Sequence, residues 1–192
     1  MFNTSLFTDQ KKKGNKVPTI SDTSDVIFVS DAFISDYVGG AELSSEALIG
    51  SCPFEIQKVY SHEITLELLE AGVDRLWIFG NFSTLDMNMV PTIVGNLKYS
   101  VIEYDYKYCK YRSPEKHKTI EDSDCDCNND MQGKLISAFY YGAMSLWWMS
   151  EQQMEKYHTL FPFLKEKINT VLSSIFDENF FSYIASLREK YK

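Results

Sequence analysis

Residues 26–50 read VIFVSDAFISDYVGGAELSSEALIG, and this stretch decides the fold. Its first residues form an apolar run typical of a buried strand, and AELSSEALIG predicts a helix that follows a turn at Gly39 and Gly40. A strand, a glycine turn and a helix N-terminus together predict an anion site, because glycines let a ligand approach the backbone and the first N–H groups of the helix point at it. The alternative is that the glycines only make a turn and that Glu42 is a charge favoured by the helix dipole.

The bulk properties predict one acidic domain. A chain of 192 residues can bury a sizeable core, and we expect a flexible tail over residues 1–17 and a single domain over residues 18–192. The formal net charge is −8, which argues against a nucleic-acid partner because phosphate neutralisation needs clustered Lys and Arg.

The sequence also favours a cytoplasmic location. No apolar run reaches the length of a membrane span, and the N-terminal residues MFNTSLFTDQKKKGNK contain no apolar segment of the kind found in secretory signals. Four cysteines in a chain without an export signal suggest a reducing compartment, where thiols stay free or bind metal.

Strand-like and helix-like segments alternate along the whole chain. This alternation predicts an α/β protein, a Rossmann-like three-layer α/β/α sandwich with a six- or seven-stranded, mainly parallel sheet. We expect Trp77 and Trp147 in the core and Trp148 on the opposite face of the sheet. The stretch from Asp105 to Gly133 is polar and long for a loop, so it is either functional or loosely ordered. The predicted strands are 26–29, 54–61, 74–80, 98–104, 145–149 and 169–174.

Residues 29–48 resemble the opening of GT-B glycosyltransferases of the retaining, glycogen-synthase-like group. Those proteins begin with a strand, a loop carrying Gly-Gly-x-Glu and a long helix, and the match here is Gly39, Gly40, Ala41 and Glu42. Later segments match in the same order. A middle strand of the family ends in His-Asp, and here it ends in Tyr104-Asp105. Further matches are the serine that follows an apolar strand and the closing segment of the family's N-terminal half, here Ser150, Ser173, Ser174 and Asp177.

The resemblance implies transfer of a sugar from a nucleotide-sugar donor to a carbohydrate or lipid-linked acceptor. It covers only the acceptor-side half of the usual enzyme, and we expect that half to be inactive without the missing C-terminal, donor-binding domain. Tyr104 in place of His puts a base or ligand role at that position in doubt. An orphan half of the enzyme would leave its cleft face exposed, which would favour a homo-oligomer. The alternative function is a non-catalytic Rossmann-like binding or assembly module.

Polar residues follow several of the predicted strands. Asn81, Asp105 and Ser150 each come directly after a strand, and the glycine turn with Glu42 follows the first one. Because open α/β sheets bind ligands at the carboxyl ends of their strands, we predict that these residues bind substrate or phosphate. Each also has a plain structural explanation. Asn81 and Ser150 can cap helices, and Asp105 can be a solvated surface carboxylate.

A second candidate site lies within the polar stretch. Cys109, His117, Cys125 and Cys127 follow the pattern C-x7-H-x7-C-x-C, which supplies three thiolates and an imidazole for a structural zinc ion. A bound metal would explain how so polar a stretch becomes ordered. The alternatives are unpaired surface thiols or a disulfide.

Overall fold

The computed structural model describes residues 19–191, and the predicted tail at residues 1–17 lies outside them. Strands and helices alternate as the sequence predicts. The described strands are β1 Val26–Ser30, β2 Ile56–Tyr60, β3 Leu76–Phe79, β4 Lys98–Glu103, β5 Ser145–Trp148 and β6 Ile168–Val171. The described α-helices are α1 Gly40–Ser51, α2 Leu66–Ala71, α3 Val90–Asn96, α4 Pro114–Glu121, α5 Met131–Gly142, α6 Glu151–Leu160 and α7 Glu178–Lys190.

The six strands form one sheet in the order β2-β1-β3-β4-β5-β6, and every pair of neighbours is parallel. This confirms the predicted α/β class with a Rossmann-like, doubly wound sheet. The order reverses between β1 and β3, because β1 pairs with β2 on one side and with β3 on the other. Doubly wound sheets bind ligands outside the carboxyl ends of the strands at such a point.

The larger core lies on one face of the sheet. Trp77, Phe79 and Tyr99 project from the strands and pack with residues of α2, α3, α5 and α6, such as Phe139. A smaller cluster around Phe28 and Ile102 lies on the other face, beside α1. Side chains alternate between the two faces along each strand, so neighbouring residues belong to different cores.

The expected placement of two tryptophans is wrong. Trp148 is fully buried in the larger core, whereas Trp147 is half-buried against the smaller cluster. The register explains the exchange. Trp147 lies opposite Ile102 of β4, which faces the smaller cluster, and a one-residue step along a strand moves the side chain to the opposite face.

The polar stretch after β4 is ordered around α4. Ser113 is the N-cap, and its hydroxyl oxygen accepts the N–H of Lys116 over 3.1 Å. Pro114 follows in the first turn, where its missing N–H costs no hydrogen bond. The helix ends at Asp122 in the left-handed conformation common at helix C-termini. Sequence reasoning placed no helix here, because the segment has almost no apolar residues to set a helical period.

Within the described residues, no helix combines the length and the apolar character needed to cross a membrane.

Candidate functional site

Arg112 connects the carboxyl ends of β1, β3 and β4. Its Nη2 donates to the side-chain oxygen of Asn81 and forms an ion pair with Asp105, and its Nη1 lies 3.9 Å from Oδ2 of Asp31. We call Asp31, Asn81, Asp105 and Arg112 the strand-end cluster. The prediction that Asn81 and Asp105 lie at one edge of the sheet is confirmed in position, while their role in binding stays a prediction.

Sequence reasoning missed Asp31, which follows β1 directly. Its carboxylate accepts five hydrogen bonds, from the hydroxyl of Ser61 and from the backbone N–H and hydroxyl groups of Ser83 and Thr84. Burial alone would raise the pKa of Asp31, but these hydrogen bonds outweigh it and lower the pKa to about 2. Since Ser61 follows β2 and Ser83 follows β3, one carboxylate ties the ends of three neighbouring strands together.

Lys107 brings a buried positive charge to the same edge. Its side chain is only 3% exposed, and its Nζ lies 3.2 Å from Oδ1 of Asp105 and 3.6 Å from Oε1 of Glu103. Burial raises the pKa of Glu103 to about 8, although the nearby ammonium opposes the shift. Glu103 is therefore mainly protonated at neutral pH, and Asp105 is the carboxylate that balances Lys107.

Ser150 lies at the same edge as a helix cap. Its hydroxyl oxygen accepts the N–H of Gln153 over 3.1 Å at the start of α6. The side-chain amide of Gln153 then donates to the carbonyl oxygen of Asp105 over 3.1 Å. The end of β5 is thus joined to the end of β4, and Ser150 has the capping role that was its structural explanation.

The Gly39–Gly40 turn does not depend on a left-handed backbone. Neither glycine has a positive φ among the described residues. A side chain at Gly39 would meet the carboxylate of Glu42 and the ring of Tyr37, so those two side chains would have to move to admit it. Gly40 opens α1 and has open space where a side chain would stand. The backbone at Gly40 is therefore accessible to a ligand, as the anion-site prediction requires.

Tyr104 occupies the position where the resembled family has His, and its hydroxyl is engaged. It shares a 2.8 Å hydrogen bond with the hydroxyl of Ser45 in α1. Burial raises the pKa of Tyr104, the bond to Ser45 opposes this shift and the charge of Glu42 adds to it, and the resulting pKa is about 12. This phenol remains protonated near neutral pH and cannot act there as a general base. The bond to Ser45 joins α1, the helix that follows the glycine turn, to the end of β4.

The four residues of the C-x7-H-x7-C-x-C pattern come together in space. We call Cys109, His117, Cys125 and Cys127 the metal cluster, because their potential ligand atoms all lie within 4.8 Å of one another. Nδ1 of His117 is 3.4 Å from Sγ of Cys127 and 3.8 Å from Sγ of Cys109. Tetrahedral zinc with S and N ligands places those atoms about 3.5–3.8 Å apart. The cluster can hold a metal ion with little rearrangement.

The surface-thiol alternative does not fit two of these cysteines, while Cys125 is half-buried. Cys109 and Cys127 are buried, so they are not surface thiols, and no cysteine of the described residues forms a disulfide. The cluster forms because α4 carries His117 back over the turn that contains Cys109, while the short 3-10 turn Cys127–Asn129 brings the last thiol to the same point. The four residues are irregularly spaced in the sequence, but they lie close together in the fold.

The fold and these contacts define a doubly wound α/β protein with a polar cluster at the carboxyl edge of its sheet and a Cys3His cluster in the loop beside it. No family model matches this chain, and comparisons with curated proteins and with solved structures find no match either.

Proposed function

We propose that this chain is the acceptor-side half of a GT-B glycosyltransferase that transfers a sugar from a nucleotide-sugar donor. The observation that carries the proposal is the convergence of four strand ends. Arg112 links the residues after β1, β3 and β4, and Gln153 links the end of β5. The resemblance of residues 29–48 to that family adds the glycine turn at the start of α1, and Ser45 of the same helix is hydrogen-bonded to Tyr104 at the end of β4.

The chemistry of this edge suits a carbohydrate. Carboxylates and side-chain amides accept hydrogen bonds from sugar hydroxyls, and a guanidinium binds phosphate or carboxylate groups through paired N–H donors. Asp105 and Asn81 offer the first kind of group and Arg112 the second. In such enzymes the reaction occurs in the cleft between two domains, so the half described here supplies acceptor contacts and leaves donor binding to its partner domain.

The test joins the chain to a donor-binding domain of the same class and measures nucleotide release from UDP-, GDP- and ADP-sugars. We expect release or transfer, and Asp105→Asn should slow it about tenfold, the effect of losing one hydrogen bond to a charged group. Asp74→Asn is the matched control, because Asp74 is exposed and comes before β3, at the opposite edge of the sheet. A fusion that neither hydrolyses nor transfers from any of these donors contradicts the proposal.

Two observations favour a non-catalytic binding or assembly module instead. The phenol of Tyr104 is buried and hydrogen-bonded where the family has an imidazole. Helix α7 also leaves Phe181, Tyr183 and Ile184 exposed. Sedimentation or light scattering distinguishes the two functions, because an assembly module should form a defined oligomer that Phe181→Ser disrupts. A catalytic half should show no such dependence on Phe181.

We also propose that the metal cluster binds structural zinc. The support is geometric, since three thiols and one imidazole nitrogen converge within 4.8 Å in a mostly buried position. The set leaves no ligand position for substrate, which is typical of structural rather than catalytic zinc. Elemental analysis of the purified protein should find about one equivalent of zinc. Protein without metal and with every cysteine free to react with a thiol reagent would contradict this proposal.

A further inference from the structure

A small cavity lies between the end of β3 and the loop that follows β4. Arg112 is the one member of the strand-end cluster among the described residues that line it. Its volume is about 230 Å³. Phe82, Met87 and Ile136 form its apolar walls, and Ser83, Lys107, Arg112 and Gln132 form its polar ones. Ligand cavities for drug-sized molecules run from about 300 to 1,000 Å³. This one therefore fits a single ring or a short chain with one polar group, and it is too small for a nucleotide sugar.

The charge of the cavity wall is positive. Two of its lining residues are cations, and no carboxylate is among the described residues that line it. The ammonium of Lys107 is buried, with its Nζ 4.9 Å from the centre of the Phe82 ring, so its field is weakly screened by water. Arg112 is the more exposed of the two cations, with 29% of its side chain accessible.

The nearby carboxylates do not occupy all the N–H donors of Lys107 and Arg112. Asp31 is satisfied by five hydrogen bonds from hydroxyl and N–H groups, and its contact with Nη1 of Arg112 is long at 3.9 Å. Asp105 pairs with Nη2 of Arg112 and accepts one hydrogen bond from Lys107, while the carboxyl of Glu103 lies 3.6 Å from Nζ. Donor capacity therefore remains on the Lys107 ammonium and on Nε of Arg112, which has no hydrogen-bond partner among the described residues. An incoming anion would therefore find unsatisfied N–H groups on this wall.

We propose that the cavity binds the end of an acceptor that joins an oxyanion, a carboxylate or a phosphate ester, to an apolar group. The oxyanion lies against Arg112 with Lys107 behind it, and the apolar group packs on Phe82, Met87 and Ile136. The identification with an acceptor rests on the proposed function, since it takes this edge of the sheet to be the acceptor side.

The test measures binding of phenyl phosphate and of benzoate by calorimetry and NMR titration, with benzyl alcohol as the neutral analogue. Gln132→Glu adds a carboxylate to the cavity wall, and Gln132 is exposed, so the variant should fold. Gln152→Glu makes the same change at an exposed position of α6 outside the cavity. We expect at least one anion to bind, with affinity about tenfold weaker in Gln132→Glu and unchanged in Gln152→Glu.

A second pair removes a positive charge. Arg112→Gln should weaken anion binding about tenfold or more, whereas Lys110→Gln should not, because Lys110 belongs to the same loop but pairs with Glu121. The preferred anion then shows whether the acceptor carries a phosphate or a carboxylate. The proposal is overturned if neither anion binds, if benzyl alcohol binds as well as the anions, or if the control variants lose as much affinity as the cavity variants.

These titrations use the chain alone, without a donor or a second domain. Anion binding without sugar transfer by the fusion would remove the proposed function and leave the cavity as an anion site. Transfer by the fusion without anion binding would remove only this inference.

Discussion

The backbone N–H of Arg112 donates to the carbonyl oxygen of Cys109 over 2.8 Å, so a residue of the metal cluster and the cation of the strand-end cluster share one turn. The turn is closed further by the N–H of Cys109, which donates to the carbonyl of Tyr106 over 2.9 Å. Arg112 itself is in the left-handed conformation, with φ of 57°, which a non-glycine residue adopts only when its surroundings hold it there. The backbone of Arg112 is therefore held by the turn that also carries a residue of the metal cluster.

Replacement of one ligand in the metal cluster should lower both metal content and stability. In Cys127→Ser the buried thiol next to Nδ1 of His117 is lost, and the remaining three groups bind zinc more weakly. A metal present at a hundred times its Kd stabilises the folded state by about 2.7 kcal/mol, so a loss of this order is expected. Thermal unfolding together with elemental analysis measures both effects.

Cys52 provides the control for that experiment. It is a free cysteine at the end of α1 and is not part of the metal cluster. Cys52→Ser should keep full metal content and the melting temperature of the unaltered protein. Equal behaviour of the two serine variants would show that the cluster holds no stabilising metal.

A methyl group at Gly133 should displace the turn that carries Cys127 and so disturb the metal cluster. Gly133 is in the first turn of α5, and a Cβ there would overlap the carbonyl oxygen of Cys127 and the Cα of Asn128. Both are backbone atoms, so relief requires a shift of the short turn that carries Cys127. We expect Gly133→Ala to cost about 1–3 kcal/mol of unfolding free energy, the usual cost of overpacking, and to lower metal affinity.

The matched substitution is Gly95→Ala in α3. A side chain at that position would meet no atom within 4 Å, and alanine favours a helix over glycine by up to about 1 kcal/mol. Gly95→Ala should therefore leave stability unchanged or raise it slightly. Urea unfolding of the two variants separates a steric effect from a general effect of replacing glycine. A Gly133→Ala protein as stable as Gly95→Ala would contradict the tight packing described here.

Much of the fold could be predicted from the sequence, because the patterns that indicate strands and helices lie within short segments. The apolar run of β1 and the alternation of short apolar and helical segments are enough to predict a parallel sheet covered by helices. The rule that parallel strands end at one edge then brings Asn81, Asp105 and Ser150 together. Three cysteines and a histidine within one polar stretch were enough to suggest the metal cluster as one of three possibilities, although their irregular spacing showed neither their proximity nor their burial.

The features that could not be predicted depend on contacts between residues that are far apart in the sequence. Asp31 looks like an ordinary aspartate after a strand, and its partners Ser61, Ser83 and Thr84 come 30 to 53 residues later. Lys107, Lys110 and Arg112 are close together in the sequence, yet the structure turns Lys107 and Arg112 inwards and leaves Lys110 paired with Glu121. Hydrogen bonding across strand ends has no periodicity in the sequence, so only three-dimensional structure reveals it.

The buried carboxyl of Glu103 should make the protein less stable as pH rises. Its pKa is about 8 in the folded protein, above the ordinary value of 4.5, so the folded state holds a proton that the unfolded chain has released. Stability from this group is therefore lost as pH rises from 4.5 through 8. Lys107 and Asp105 flank the carboxyl, and the pKa of Tyr157 is raised by burial and by the charge of Glu103.

Glu103→Gln removes the titrating group and keeps its shape. We expect the variant to gain stability relative to the unaltered protein between pH 5 and pH 9, measured as the midpoint of urea unfolding at several pH values. Glu70→Gln, an exposed change on α2, should show no such trend. A constant difference between Glu103→Gln and the unaltered protein across this range would refute the proposed protonation of Glu103.

The opposite pH dependence is expected from Asp31. Its pKa is about 2, below the ordinary value of 3.8, so the ionised form is favoured in the folded protein. The stability that it contributes is complete above pH 3.8 and is lost as pH falls through about 2. Acid unfolding should therefore be steeper in the unaltered protein than in Asp31→Asn, which has no charge to lose at this position.

Asp31→Asn should also be less stable at neutral pH. Asparagine has an NH2 group where one carboxylate oxygen stood, and that group would face donors, either the N–H of Ser83 or that of Thr84. Leaving such donors without an acceptor costs about 1–3 kcal/mol. Asp74→Asn is the control, as it is exposed and far from this edge of the sheet. If Asp31→Asn were as stable as Asp74→Asn at pH 7 and followed the same acid profile as the unaltered protein, the carboxylate would not be what holds the ends of β1, β2 and β3 together.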